Sequence, residues 1–376
     1  MGESRSIELV PVHDEQQVET TEPSTTASLD SWLNTLIERS GSDLLLVTGA
    51  PVSILVDGRV NRIGTRPLTG REIEAAVLPA LGSHAAKSYR ETGIADFSYR
   101  IGKLGRFRVN LHHEKGQAAA SIRALPSNVP VLQELRLPRQ VESLSQLSRG
   151  LVLIGGPAGA GKSTTLAALI HEINRKDARH IVTIEDPIEY EHKHIQSIIE
   201  QVEIGVDASN YPVALRSALR QAPDVIVIGE MRDPESMRIA LAASETGHLV
   251  LSTLHATDVA GAVSRIADSF PAERQYTVRQ ELAMALAAVL TQILVPSKLG
   301  GRVPVAELLL ASYGARQHIR RNAVQHLHQE ITMTRRAGSF TMEESLLNLI
   351  SQGHMDREDA LGYAIHPEEL DVLRKK

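Results

Sequence analysis

The sequence predicts an α/β protein in two parts: an α+β first half, then a half built on a parallel sheet with a helical C-terminal portion. Three observations carry this prediction. The 376 residues suit two hydrophobic cores, at roughly 150 residues per domain. The second half alternates short, continuously apolar runs with helical stretches, as parallel strands covered on both faces do. Pro126, Pro130 and Pro138 punctuate the connection between the halves and place a boundary near residue 135.

Residues 1 to about 27 are polar, acidic and Thr-rich, and read as a disordered tail. Leu29, Leu33, Leu36 and Ile37 then fall at helical spacing, and Gly41 ends that helix. A strand is expected at 44–47, followed by a turn at Gly49-Ala50-Pro51. Apolar runs at 54–56 and 60–63 flank Asp57-Gly58, a hairpin signal. Further strands are expected at 95–101, 106–113 and 117–124. The domains are therefore placed at 28–135 and 136–376. Buried strands are expected at 151–154, 180–184, 225–228 and 249–252, and from about 271 the pattern reads as mostly helical.

Composition narrows the function. Hydrophobic residues make up 42% and charged residues 23%, which suits a globular protein. Aromatics are only 3%, so the core rests on Leu, Ile, Val and Ala. A net charge of −5 disfavours a general nucleic-acid binder, and no nucleic acid is expected as a partner. With no cysteine, disulfides and thiolate zinc sites are excluded. No apolar run approaches the roughly 20 residues that span a bilayer. The longest, 282–295, is interrupted by Thr291 and Gln292. The acidic N-terminus does not read as a signal peptide. A cytoplasmic location, with membrane contact only through a partner, is the expectation.

Residues 156–163, Gly-Pro-Ala-Gly-Ala-Gly-Lys-Ser, fit the P-loop pattern. Its glycines let backbone N–H groups close on phosphate oxygens. Lys162 would reach the β- and γ-phosphates, and the Ser163 hydroxyl would bind Mg²⁺. A strand precedes the motif, and the apolar stripe Leu166, Leu169, Ile170, Ile173 predicts a helix directly after it. The nucleotide-contacting stretch is thus Gly156, Pro157, Ala158, Gly159, Ala160, Gly161, Lys162, Ser163 and Thr164. The strand 225–228 runs through Gly229 to Glu230, the acid expected to hold the Mg²⁺ shell, through water, or to orient the attacking water. Glu185, Asp186 and Glu189 cluster after the strand 180–184, where the residues alone leave a surface turn and a catalytic edge both open. His248 enters the strand 249–252 and His255 leaves it, too far apart for a zinc pair. His255 is the better placed of the two to sense a γ-phosphate.

The P-loop, the acidic segment 183–190, the stretch Ala-Leu-Arg-Ser-Ala-Leu-Arg at 214–220, the strand ending Gly-Glu-Met-Arg-Asp at 229–233, and the segment 245–257 occur in a characteristic order. Together they resemble the type II/IV secretion ATPases, most nearly the pilus-retraction branch, over about residues 28–365. The resemblance implies a PAS-like N-terminal domain, a RecA-like ATPase domain, and a homo-oligomeric ring, usually hexameric. ATP would lie between the two domains of a subunit and close to its neighbour. It makes Glu189 the general base or water-orienting residue and Glu230 the acid of the second nucleotide motif. It makes His248 and His255 a histidine box, with His248 a further nucleotide contact. Arg106, Arg108 and Arg123 lie on the matching strands and become the candidates for arginines donated to the phosphates, with a solvated strand face as the other reading. An inner-membrane pilus platform protein is the implied partner, with peripheral association with the inner-membrane machinery.

The missing cysteines disfavour the extension branch, which carries a four-cysteine zinc insertion. The retraction branch carries Ala-Ile-Arg-Asn-Leu-Ile-Arg-Glu near its C-terminus. Here 314–321 read Gly-Ala-Arg-Gln-His-Ile-Arg-Arg, keeping Arg316 and Arg320 but reversing the last charge at Arg321. Three other readings stand beside a retraction motor: a secretion or conjugation ATPase of the same superfamily, a nucleic-acid translocase on the same core, and a non-catalytic regulatory binder.

Overall fold

The structure is a computed structural model and describes residues 25–373. The expected disordered tail lies outside the described residues as far as position 24. Two sheets organise the chain. The first contains β1 (Asp43–Val47), β2 (Pro51–Val56), β3 (Arg59–Pro67), β4 (Ala95–Ile101), β5 (Gly105–Glu114) and β6 (Gln117–Ala124), in the order β3-β2-β1-β6-β5-β4. The second contains β7 (Gly150–Gly155), β8 (His180–Glu185), β9 (Ile198–Glu203), β10 (Val225–Ile228), β11 (Leu249–Leu254), β12 (Leu286–Pro296) and β13 (Arg302–Leu310), in the order β13-β12-β7-β11-β10-β8-β9.

The described chain divides into two compact units. One is the described part of Met1–Leu81 with Leu111–Ser121; the other is Gly82–Asn110 with the described part of Ile122–Lys376. In the first unit, α1 (Thr25–Glu38) buries Leu29, Leu33 and Leu36 of the stripe the spacing predicts, whereas Ile37 at its edge is exposed. The hairpin β2–β3 turns at Asp57 (φ 50°) and Gly58 (φ 73°), the double positive φ that an Asp-Gly pair supplies. Helix α2 (Gly70–Val77) opens on a capping box of Thr69 and Glu72. Hydrogen bonds from Arg66 and Thr69 hold the exposed Glu72 carboxyl down to about 2.

In the second unit, α3 (Ser83–Thr92) precedes β4, and the seven-stranded sheet dominates. Strands β7 to β12 pair in parallel; only β13, beside β12, is antiparallel. Strands β7, β10 and β11 are buried along their whole length. Alternate residues therefore feed two apolar layers. Leu151, Leu153, Ile226 and Ile228 pack with residues of α5 (Tyr211–Ala218), α6 (Pro234–Glu245), α7 (Val259–Asp268) and α8 (Ala272–Ala285). Val152, Ile154, Val225 and Val227 pack with α4 (Lys162–Lys176) on the other face. After β13 come α9 (Tyr313–Arg320), α10 (Leu327–Met333), α11 (Met342–Ser351), α12 (Arg357–Leu361) and α13 (Pro367–Leu373); α10 and α11 pack against β13, α9 against α8, and α12 and α13 against α11.

The expectation of a mostly helical chain after about 271 is corrected by the structure. Residues 286–310 form β12 and β13, which extend the sheet next to β7. Nearly every residue of the two strands is at least partly buried, so the two-residue alternation that marks a strand is absent from the sequence. The local signal was the turn, where Gly300 (φ 94°) and Gly301 (φ 69°) come after Pro296.

Candidate active site

Parallel pairing puts the C-terminal ends of β7, β8, β10 and β11 along one edge of the sheet, where such sheets place their ligands. Each strand delivers a polar group there. Strand β7 leads into the P-loop, whose glycines adopt φ of 154° (Gly156), 74° (Gly159) and 85° (Gly161). Gly156 is obligatory on two counts, since a Cβ there would also lie 2.4 Å from the Gln292 carbonyl oxygen. Helix α4 starts at Lys162 with no side-chain cap, which leaves its first backbone N–H groups directed at the loop.

Lys162 is 9% exposed, and burial lowers its pKa against the opposing pull of Glu230 and Glu189. Its Nζ donates to Gly156 O (2.8 Å) and Pro157 O (2.9 Å) and lies 3.4 Å from His255 Nδ1. The other His255 nitrogen, Nε2, is 3.2 Å from Glu230 Oε1, and Glu230 Oε2 accepts from Arg232 Nε at 2.9 Å. A chain of polar contacts thus runs from the P-loop lysine across the ends of β11 and β10. Thr253 Oγ1 anchors that junction by donating to Gly229 O at 2.6 Å.

From β8 come Glu185, Asp186 and Glu189. Burial raises the Glu185 pKa, while bonds from the Thr183 hydroxyl (2.7 Å) and the Gln201 amide (3.2 Å) act against it. The cleft they share with Lys162, Ser163, Glu230 and His255 holds about 280 Å³. A larger groove of about 960 Å³ lies between 132–142 and α11, but no glycine-rich loop reaches it. The residues of the smaller cleft fit a Mg²⁺-nucleotide: backbone donors and a lysine for phosphate, a serine hydroxyl and carboxylates for a hard cation.

The expected arginines part company. Arg108 lines the cleft. Arg106 does not: its guanidinium donates to Ile188 O (2.9 Å) and to Glu203 Oε2 (3.1 Å). Arg123 sits on an exposed position of β6 away from the cleft lining. His248 is at the opposite end of β11 from His255, roughly 20 Å along a strand of this length, and its Nδ1 lies 3.0 Å from Ala243 O. It does not line the cleft.

Three groups escaped the reading of the sequence. Gln292 of β12 is 2% exposed; its amide donates to Ala160 O (2.7 Å) and accepts from Thr165 Oγ1 (2.8 Å), so it grips the P-loop and α4 together. The signal was a lone amide in an apolar strand. His192 on the cleft wall is pushed down to about 4 by burial, with His171 adding to the effect. Glu307 of β13 is buried behind the site, accepting from Val259 N (2.8 Å) and Thr291 Oγ1 (3.0 Å), and burial raises its pKa to about 7.

A family model described as type II/IV secretion system protein matches residues 102–361. The chain is 39% identical over 333 residues to the type IV pilus retraction ATPase PilT of Pseudomonas aeruginosa, covering 89% of this chain and 97% of that protein. It is also 39% identical over 344 residues to the type IV pilus ATPase PilU of the same organism, covering 91% and 90%. A crystal structure of the pilus retraction motor PilT with bound ADP superposes with a TM-score of 0.82 at 38% identity, covering 92% of this chain and 98% of that one.

Proposed function

The chain belongs to the type II/IV secretion system protein family, and from that premise we propose that it is a ring-forming ATPase driving type IV pilus retraction and twitching motility. The observation that carries the proposal is the meeting of Lys162, Glu189, Glu230 and His255 at one cleft beside the P-loop. In this reading residues 28–135 are a PAS-like domain and 136–376 a RecA-like one.

Each residue's work comes from its place. The P-loop backbone and Lys162 bind and orient the phosphates, with the positive end of α4 adding to the attraction. Ser163 and Glu230 would hold Mg²⁺, which when bound neutralises charge developing on the transferred phosphoryl group. Glu189 accepts a proton from, or orients, the attacking water. His255 bridges Lys162 and Glu230 and so reports the phosphate side of the cleft to the sheet edge. Arg108 is the arginine placed to add positive charge in the transition state, an effect worth roughly 10³–10⁵ in rate where it operates. Among the described residues no helix is long and apolar enough to cross a membrane. In this reading force reaches the pilus through an inner-membrane platform protein, from a cytoplasmic position.

A pilus motor other than the retraction ATPase itself stands beside this reading, because the chain is as similar to the type IV pilus ATPase PilU as to PilT. Arg316 also donates to Ala283 O (2.6 Å) and Met284 O (2.7 Å), so one of the two retained arginines of that helix serves to close α8. A single experiment tests the retraction reading against a secretion role: delete the gene in its host and restore wild type or Glu230→Gln. Lost twitching that only wild type restores supports the retraction motor; unchanged motility with unchanged pilus number overturns it in favour of a secretion role.

A further inference from the structure

The edge strand β9 ends on Gln201 and Glu203, two residues apart and so on one face. Both side chains turn to the loop that carries Glu189. Glu203 is 5% exposed, and its carboxylate accepts from Ile188 N (3.2 Å), Arg106 (3.1 Å) and Ser98 Oγ (2.6 Å). Arg106 in turn donates to Ile188 O at 2.9 Å. The residue before Glu189 is therefore gripped at both its backbone N–H and its carbonyl. On the far side, the Gln201 amide donates to Tyr190 O (2.9 Å) and accepts from His192 N (2.8 Å). The Tyr190 hydroxyl lies 3.0 Å from Thr164 Oγ1 on α4. Arg106 also approaches Glu191 at 3.5 Å, and Arg100 pairs with Glu191 directly.

We propose that Glu203 and Arg106, with Gln201 beside them, are positioning residues that hold Glu189 at its working place in the cleft. The proposal rests on the reading of Glu189 as the water-orienting group. The loop of three acids and a proline forms neither helix nor strand; beside the bond from the Glu189 backbone to the Glu185 carboxylate, the clamp supplies its hold from β9 and from β5. Because Ser98 and Arg106 stand on β4 and β5, a displacement of those strands passes to the Ile188 backbone and so to Glu189. Arg106 thus acts on the reaction without touching the phosphates.

The test uses the full chain. Arg106→Met/Glu203→Met removes both buried charges together and leaves neither unpaired. Gln201→Ala removes the second grip independently and keeps the test open should the Met pair fail to fold. Each is made in the wild type and in Glu189→Gln, and kcat, KM, the Kd of a fluorescent ADP and the Tm are read. The expected result is a fall in kcat of at least tenfold with Kd within twofold. In the Glu189→Gln background the same changes should produce no further loss. Unchanged kcat in folded variants, or the same proportional loss in the Glu189→Gln background, overturns the positioning role. Glu189→Gln turning over like wild type would instead overturn the reading of Glu189 itself, and the clamp proposal with it.

Discussion

Lys162, His255 and Glu230 form a line of polar contacts no longer than 3.4 Å, so single substitutions there should separate binding from turnover. Lys162→Ala removes a charge-assisted donor to phosphate; a loss of about 1.5–3 kcal/mol, roughly 10- to 150-fold in nucleotide Kd, is expected by titration with a fluorescent nucleotide. Glu230→Gln should retain binding and lose turnover. Glu307 gives a different signature. Its carboxyl sits at about 7 in the folded chain against 4.5 ordinarily, so the folded state holds the proton more tightly and is penalised as pH rises between those values. Glu307→Gln should therefore gain stability relative to wild type from pH 5 to pH 8, read as a growing Tm difference; a constant difference would contradict the assignment. At this scale the P-loop residues were legible because their motif is local. Arg106 and Arg108 were not separable, since residues two apart on a strand share a face and only tertiary partners tell them apart.

At the scale of elements, β12 does more than widen the sheet. It runs beside β7 and puts Gln292 against the loop that β7 launches. Gln292→Leu would strand the Ala160 carbonyl and the Thr165 hydroxyl, each at about 1–3 kcal/mol. A Tm lowered by several degrees together with weaker nucleotide binding is expected in thermal shift with and without ADP. A lower Tm with unchanged affinity would assign Gln292 to stability alone. Strands β7, β8, β10 and β11 could be read from their short apolar runs bounded by loops. Strand β9 (Ile198–Glu203) could not, because Gln201 and Glu203 face the acid loop while Ile198 and Glu200 on the other face are exposed, so apolar and polar residues do not sort by side. The largely buried β12 lacks a two-residue period and reads as helix.

For the whole molecule, the acidic total of −5 is the feature by which the sequence disfavours a general nucleic-acid binder. The order of the second sheet, in which β7 lies between β12 and β11 and away from β8, was beyond reach of local pattern and came only from pairing. That order brings acids from β8 and β10 and a histidine from β11 to the loop after β7. A ring would add a neighbour's surface to this cleft and make turnover depend on assembly. The most direct measurement is Mg²⁺-dependent ATP hydrolysis against protein concentration, with particle mass followed in parallel, for wild type and Glu230→Gln. Specific activity that rises as rings form, and is absent in Glu230→Gln rings of equal mass, is the expected result. Equal specific activity in monomers, or full activity in Glu230→Gln, would contradict the ring mechanism or the role of Glu230.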